Sequence, residues 1–150
     1  MRIALDSNIL VYALDTSDPS RHALAVNVVE RAMLGECVLC AQVLGEFLAV
    51  IRRRFPAGLS QALAQAERWA NLCPPVPTAS EHMLAAGAMV LTHGFQFWDA
   101  VIWQVAASRQ VTCLLSEDMQ DGFSLGGLAV LNPFLPANRA KLDIALSPGG

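Results

Sequence analysis

At 150 residues the chain is sized for one domain with a core of its own, needing no disulfide or metal staple. Hydrophobic residues make up 54% and charged residues only 15%, so some apolar surface is expected to meet a partner; no uninterrupted apolar run reaches the roughly 18 residues of a membrane span. A formal net charge of −3 excludes a general attraction for polyanions, so any nucleic-acid contact must come from a local basic patch.

Residues 2–5 are a short apolar run emptying into Asp6-Ser7-Asn8, the pattern of a buried first strand followed by a polar loop. Ile9 to Leu14 is apolar again and starts a short helix beneath that loop. Asp18 before Pro19 is an N-cap with proline in the first turn, and Gly35 supplies a stop, which predicts a helix of about four turns between them. Residues 37–41 read as a second strand, and residues 42–55 carry apolar side chains at helical spacing until Pro56 and Gly58 intervene.

Ser60 is placed to cap a helix reaching Cys73, after which Pro74, Pro75 and Pro77 enforce an extended stretch with a short edge strand around Val76. Ser80 is placed to cap a helix running to His93, stopped by Gly94. Asp99 opens an apolar helix that ends near Arg109. Residues 111–115 then form a buried strand running into Ser116-Glu117-Asp118, and residues 128–131 form the last strand. The alternation of strand and helix implies an α/β domain with a mostly parallel sheet covered by helices on both faces. Residues 135–150, ending in Gly-Gly, are expected to be a C-terminal tail.

The first residues lack the basic flank and cleavage site of a signal peptide, so a cytoplasmic protein is expected. Cys37 and Cys40 stand three apart, which in a strand points them to opposite faces. Cys73 and Cys113 have no companion at ligand spacing, so reduced buried thiols are expected rather than a zinc site. His22, His82 and His93 also lack such companions and are expected at the surface. Trp98 and Trp103 lie in apolar sequence and are assigned to the core. Trp69, beside Arg68 on a more polar helix, is the better candidate for stacking on a base. Arg52, Arg53 and Arg54 form the candidate RNA-contact patch, with Arg68 and Arg21 as additions; at a helix C-terminus the three equally suit the macrodipole.

In open α/β sheets the ligand crevice lies beyond the carboxyl ends of the strands, and Asp6 and Asp118 follow two such ends. Glu46 and Asp99 instead lie within apolar helical sequence, where a carboxylate needs compensation. A hard divalent cation, Mg²⁺ or Mn²⁺, answers burial and mutual repulsion together and points to phosphodiester hydrolysis. Taken singly, each acid also has a structural reading: Asp99 as an N-cap, Asp118 as a turn residue, Glu46 as a partner of Arg52 or Arg53, Asp6 as a strand-end cap. Spacing alone does not bring four distant acids together.

The opening Ile-Ala-Leu-Asp6-Ser7-Asn8-Ile-Leu-Val-Tyr-Ala resembles the start of the PIN domain, in which the Asp is a metal ligand supported by a Ser or Thr and an Asn. Glu46, in a helix after the second strand, is similar to the family's second acid, and Asp99 in Phe-Trp-Asp-Ala to its third. Ser116-Glu117-Asp118-Met119-Gln120-Asp121-Gly122 resembles the closing motif, with Ser116 two places before the fourth acid. The resemblance covers residues 1–134, and no acid of the set is missing.

That resemblance implies a PIN-like three-layer α/β/α fold of the kind found in VapC-type toxins of bacterial toxin–antitoxin pairs. It implies that Asp6, Glu46, Asp99 and Asp118 hold Mg²⁺ or Mn²⁺ and are the catalytic residues of an endoribonuclease using a metal-activated water. Ser7, Asn8, Ser116 and Asp121 are implied as accessory residues, Asp121 standing also as an ordinary turn residue before Gly122. The implied partners are RNA, a small cognate antitoxin and a second copy in a homodimer, with no membrane. The alternative is a PIN-like RNA- or protein-binding module without catalysis. A doubly wound phosphatase is disfavoured because Asp6-Ser7-Asn8 lacks an acid two residues after Asp6.

Overall fold

The computed structural model describes residues 1–148. Its centre is a sheet of short apolar runs: β1 (Ile3–Leu5), β2 (Cys37–Val38), β3 (Cys113–Leu115), β4 (Ser124–Leu125) and β5 (Leu128–Leu131), in the order β2-β1-β3-β5-β4. All but the β4–β5 pair are parallel. β1 and β3 are buried along their whole length, as central parallel strands covered on both faces must be. The register sets Ile3 beside Cys113 and Leu5 beside Leu115. The residues that leave these two strands, Asp6 and Ser116, therefore emerge side by side, and Asp6 N–H donates to Leu115 O at 2.9 Å.

The helices are α1 (Ser7–Leu14), α2 (Pro19–Met33), α3 (Ala41–Arg54), α4 (Leu59–Leu72), α5 (Ser80–His93), α6 (Phe97–Ser108) and α7 (Arg139–Ala145). α1 to α4 pack as a chain of neighbours and α5 packs on α6, so the domain is α/β with a mostly parallel central sheet. The expected caps at Asp18 and Gly94 are present: Asp18 accepts from Arg21 N–H, and Gly94 takes the left-handed conformation at φ 71°. Among the described residues no helix is long and apolar enough to cross a membrane.

Four helix starts differ from expectation, the first being α1, which begins at Ser7 inside the expected polar loop. α4 begins at Leu59, directly after a 3-10 turn at residues 56–58, so Ser60 lies inside the first turn instead of capping it. Ser80 is likewise the first helical residue; the His82 side chain supplies the cap, accepting from Ala79 N–H at 2.9 Å. α6 begins two residues before Asp99, with Gln96 as its cap. Residues 139–145, expected within a tail, form α7 because Leu142, Ala145 and Leu146 recur at helical spacing and are buried, while Arg31 pairs with Asp143 at 2.9 Å. The terminal Gly-Gly lies outside the described residues. β4, not anticipated, turns back on β5 through Gly126 and Gly127, both at positive φ. The stretch around Val76 amounts to one parallel bridge with Cys40.

Trp69 is buried, edge-on to Phe47 at 5.1 Å, and is withdrawn from any stacking role. Trp103 is buried as expected, but Trp98 is 48% exposed and does not belong to the core. The four cysteines are free thiols, and the Cys73 thiol donates to Cys37 O at 3.0 Å. His93 is exposed, whereas His22 is half-buried with its Nδ1 2.9 Å from Tyr12 O.

Candidate metal centre

Asp6 caps α1, whose first turn carries Ser7 and Asn8, and side chains stitch this helix start to the loop after β3. Asp6 is 2% exposed; its Oδ1 accepts from Ser7 N–H at 2.7 Å, and its Oδ2 from Ser116 Oγ at 2.6 Å and Asn8 Nδ2 at 3.1 Å. Ser116, fully buried, accepts in turn from the backbone N–H groups of Asp118 and Met119 at 3.2 and 3.1 Å. Asn8 is the bridge: Nδ2 also reaches Asp118 Oδ2 at 3.2 Å, while Oδ1 accepts from Glu117 N–H at 3.2 Å, which fixes the orientation of the amide. The sequence forces this arrangement because parallel strands in matched register end at the same level, and short polar side chains there satisfy loop N–H groups.

Two helices complete the site. Glu46 lies in the middle of α3, where Ser7 Oγ donates to its Oε2 at 2.9 Å and Gln42 Nε2 to its Oε1. The same Gln42 amide reaches Trp98 O at 3.1 Å and so ties α3 to the start of α6. Asp99 sits in the first turn of α6; its backbone N–H donates to Gln96 Oε1 at 3.0 Å, and no side-chain donor among the described residues reaches its carboxylate. Glu46, Asp99 and Asp118 line one groove of about 700 Å³ with Gln42, Gly45, Ala49, Gln96 and Trp98.

The electrostatics of the groove are one-sided. Burial raises Asp6 to about 6; the bonds from Ser116 and Ser7 offset part of that rise, while Glu46 and Asp118 add to it. Asp99 is pushed up to about 7, first by burial and then by Asp6, Glu46 and Asp118. No cation is among the causes for either group, so the repulsion is left uncompensated. The donor set is wholly oxygen, and Gln42 Oε1 is a buried acceptor without a hydrogen-bond partner among the described residues. Such a set fits Mg²⁺ or Mn²⁺ better than Zn²⁺. As they stand, no three acid, histidine or cysteine side chains among the described residues are gathered tightly enough to enclose an ion.

The acids and accessory residues picked from sequence thus converge, except Asp121. Its Oδ1 accepts from Asn132 N–H and from Asn138 Nδ2, both at 2.8 Å, which anchors the exit from β5 to the turn before α7. Of the three arginines ending α3, Arg54 lines a small pocket with Ser7, Asn8 and Asp118, whereas Arg52 and Arg53 are exposed and do not line it. Arg21 is engaged with Glu117 at 3.1 Å and lies over the rings of Tyr12 and Phe134. Gln42, Gln96 and Trp98 were not singled out for the site. The available signal was spacing: Gln42 stands four before Glu46 on one helix face, and Gln96 three before Asp99 at cap distance.

The PIN domain family profile matches residues 3–123 of the chain. No curated protein matches the sequence. Among solved structures, the fold is similar to Mycobacterium tuberculosis VapC20, described as a sarcin-ricin loop cleaving toxin, at TM-score 0.63 and 19% identity over 75% of this chain and 86% of that one. It is also similar to a chain of a toxin–antitoxin complex from Klebsiella pneumoniae, at TM-score 0.64 and 17% identity over 88% and 98%. A third is a chain of VapBC2 from Rickettsia felis bound to a promoter DNA fragment, at TM-score 0.58 and 14% identity over 87% and 97%. With the profile spanning every segment that carries one of the four acids, the chain belongs to the PIN domain family.

Proposed function

We propose that this PIN domain is a toxin-like endoribonuclease that hydrolyses RNA phosphodiester bonds with Mg²⁺ or Mn²⁺ held by Asp6, Glu46, Asp99 and Asp118. The observation that carries the reading is that Glu46, Asp99 and Asp118 line one groove, buried Asp6 lies close enough to raise Asp99, and no Lys or Arg acts on Asp6 or Asp99. When bound, the divalent ion supplies positive charge to the phosphodiester and lowers the pKa of water. The protein's own part is positional. Ser116, Ser7 and Asn8 hold Asp6 in one orientation, leaving it little freedom. Glu46 is steadied by Ser7 and Gln42, while exposed Asp118 and donor-free Asp99 keep the rotamer freedom to close on an ion. Arg54, beside Asp118, is placed to meet a backbone phosphate.

The kinship in fold to chains of toxin–antitoxin complexes supports a small antitoxin as protein partner, and the low charge supports a second copy as another. The test is incubation of partner-free protein with total RNA in Mg²⁺ or Mn²⁺, beside Asp99→Asn and chelator controls. Discrete fragments are expected from wild type with metal alone. One observation favours a second reading, a non-catalytic RNA-binding module: the acids stand too far apart to enclose an ion without side-chain movement. A pure binder retains RNA affinity in chelator and yields no product under any condition.

A further inference from the structure

The groove that holds Glu46, Asp99 and Asp118 has a single aromatic in its wall, Trp98. It is 48% exposed while Trp69 and Trp103 are 5% and 2% exposed, so it is the tryptophan that ligands reach. Phe97 meets the ring edge-on at 5.0 Å, and the Trp98 backbone carbonyl accepts from Gln42 at 3.1 Å, which ties this turn of α6 to α3. Another wall comes from α3, where Gln42, Gly45, Glu46 and Ala49 recur at helical spacing on one face. Glycine weakens a helix interior, and a Cβ at Gly45 would meet nothing within 4 Å, so packing does not require it there. Its effect is to leave flat open space beside Glu46.

We infer that Trp98 and the Gly45–Ala49 stripe form a slot for one unpaired nucleobase of an RNA strand whose phosphate lies at the acids. The inference rests on the ribonuclease reading above and adds to it the residues that would take the base beside the cut. Every base has a π-face that stacks on an aromatic ring, but in an A-form duplex those faces are already stacked and the base cannot enter the slot. An anionic groove attracts no polyanion by charge, so a stacking anchor next to the phosphate site gives the strand a contact that charge does not oppose.

The test is a tryptophan-fluorescence titration with a mixed-sequence RNA oligonucleotide in Mg²⁺, single-stranded and as its duplex, in the Asp6→Asn background so that the strand is not consumed. The single strand quenches the exposed tryptophan and the duplex does not. Trp98→Ala and Gly45→Leu each raise Kd about 10-fold, whereas Trp98→Phe retains affinity within roughly 3-fold and loses the quench. Circular dichroism melts of each variant separate lost stacking from lost fold. Unchanged affinity in folded Trp98→Ala, or equal quenching by the duplex, overturns the slot and leaves the exposed ring to a protein partner. Wild-type cleavage of total RNA is scored separately. Cleavage without dependence on Trp98 sinks the slot alone, and Trp98-dependent binding without cleavage in either metal sinks the ribonuclease reading alone.

Discussion

Asp6 and Asp99 act on one another within the site from different kinds of scaffold. Asp6 leaves a central strand almost wholly buried, yet three donors hold its carboxylate and it rises only to about 6. Asp99, on a helix start and less buried, has no side-chain donor among the described residues and rises to about 7. The less buried acid is the more perturbed, because hydrogen bonds to a carboxylate offset desolvation and Asp99 has none to offset it. Asp6 is preorganised by its donors, and the position of Asp99 depends on what binds.

The largest expected effect comes from removing the charge on either side. Asp6→Asn and Asp99→Asn should each abolish metal-dependent RNA cleavage, falling beyond the roughly 100-fold loss typical of a merely supporting residue. If Asp6→Asn retains wild-type turnover, the strand side is not part of the metal centre. Ser116→Ala isolates the donors: cleavage and metal affinity should fall about 10- to 100-fold. Two loop N–H groups also lose their acceptor, at about 1–3 kcal/mol of stability measured by urea melts. With its best donor gone, Asp6 should titrate higher, moving the acid limb of the rate profile to higher pH.

The two acids should also differ in their pull on stability. Both titrate higher in the folded chain than their ordinary 3.8, so the fold binds protons more tightly than the unfolded state. Their contribution to metal-free stability is complete below about pH 4 and is lost as pH rises through about 6 for Asp6 and about 7 for Asp99. Metal-free wild type should therefore melt lower at pH 8 than at pH 5. Asp99→Asn should remove more of that slope than Asp6→Asn and stabilise the pH 8 protein by on the order of 1 kcal/mol. Saturating Mg²⁺ or Mn²⁺ should restore wild type at pH 8, adding about 2.7 kcal/mol at 100 times Kd, and should stabilise Asp6→Asn less. The smallest effect separates the arginines. Arg54→Ala should flatten the salt dependence of RNA binding by about one unit of slope, and Arg53→Ala should not change it.

The strand side of the site was legible in the sequence. Asp6-Ser7-Asn8 and Ser116-Glu117-Asp118 come directly after buried apolar runs, so local pattern alone predicts where they emerge. Glu46 and Asp99 were named through the family resemblance and not from local pattern, because spacing alone does not show which way a side chain in a helix points. Its apolar neighbours assigned Trp98 to the core, when it stands in the first turn of α6 and lines the groove. Trp69 failed in the opposite way: Arg68 and Glu67 mark a polar helix, yet Ala62, Ala66 and Trp69 together make its buried stripe. Asp121 matched a motif by sequence distance, but a residue past the turn is oriented by later parts of the chain, here Asn132 and Asn138. β4 and α7 are short elements whose apolar residues gain meaning only against β5 and the core.

Both margins of the sheet are two residues long. β2 is flanked on its outer side by the backbone of Val76, which exchanges hydrogen bonds with Leu39 and Ala41, and β4 turns away after Leu125. An extended peptide seeking to add a strand finds no length of free backbone to copy. The chain is thereby guarded against edge-to-edge self-association. A protein that recognises it reads side chains, where specificity resides in shape and sequence rather than in the hydrogen bonds common to every polypeptide.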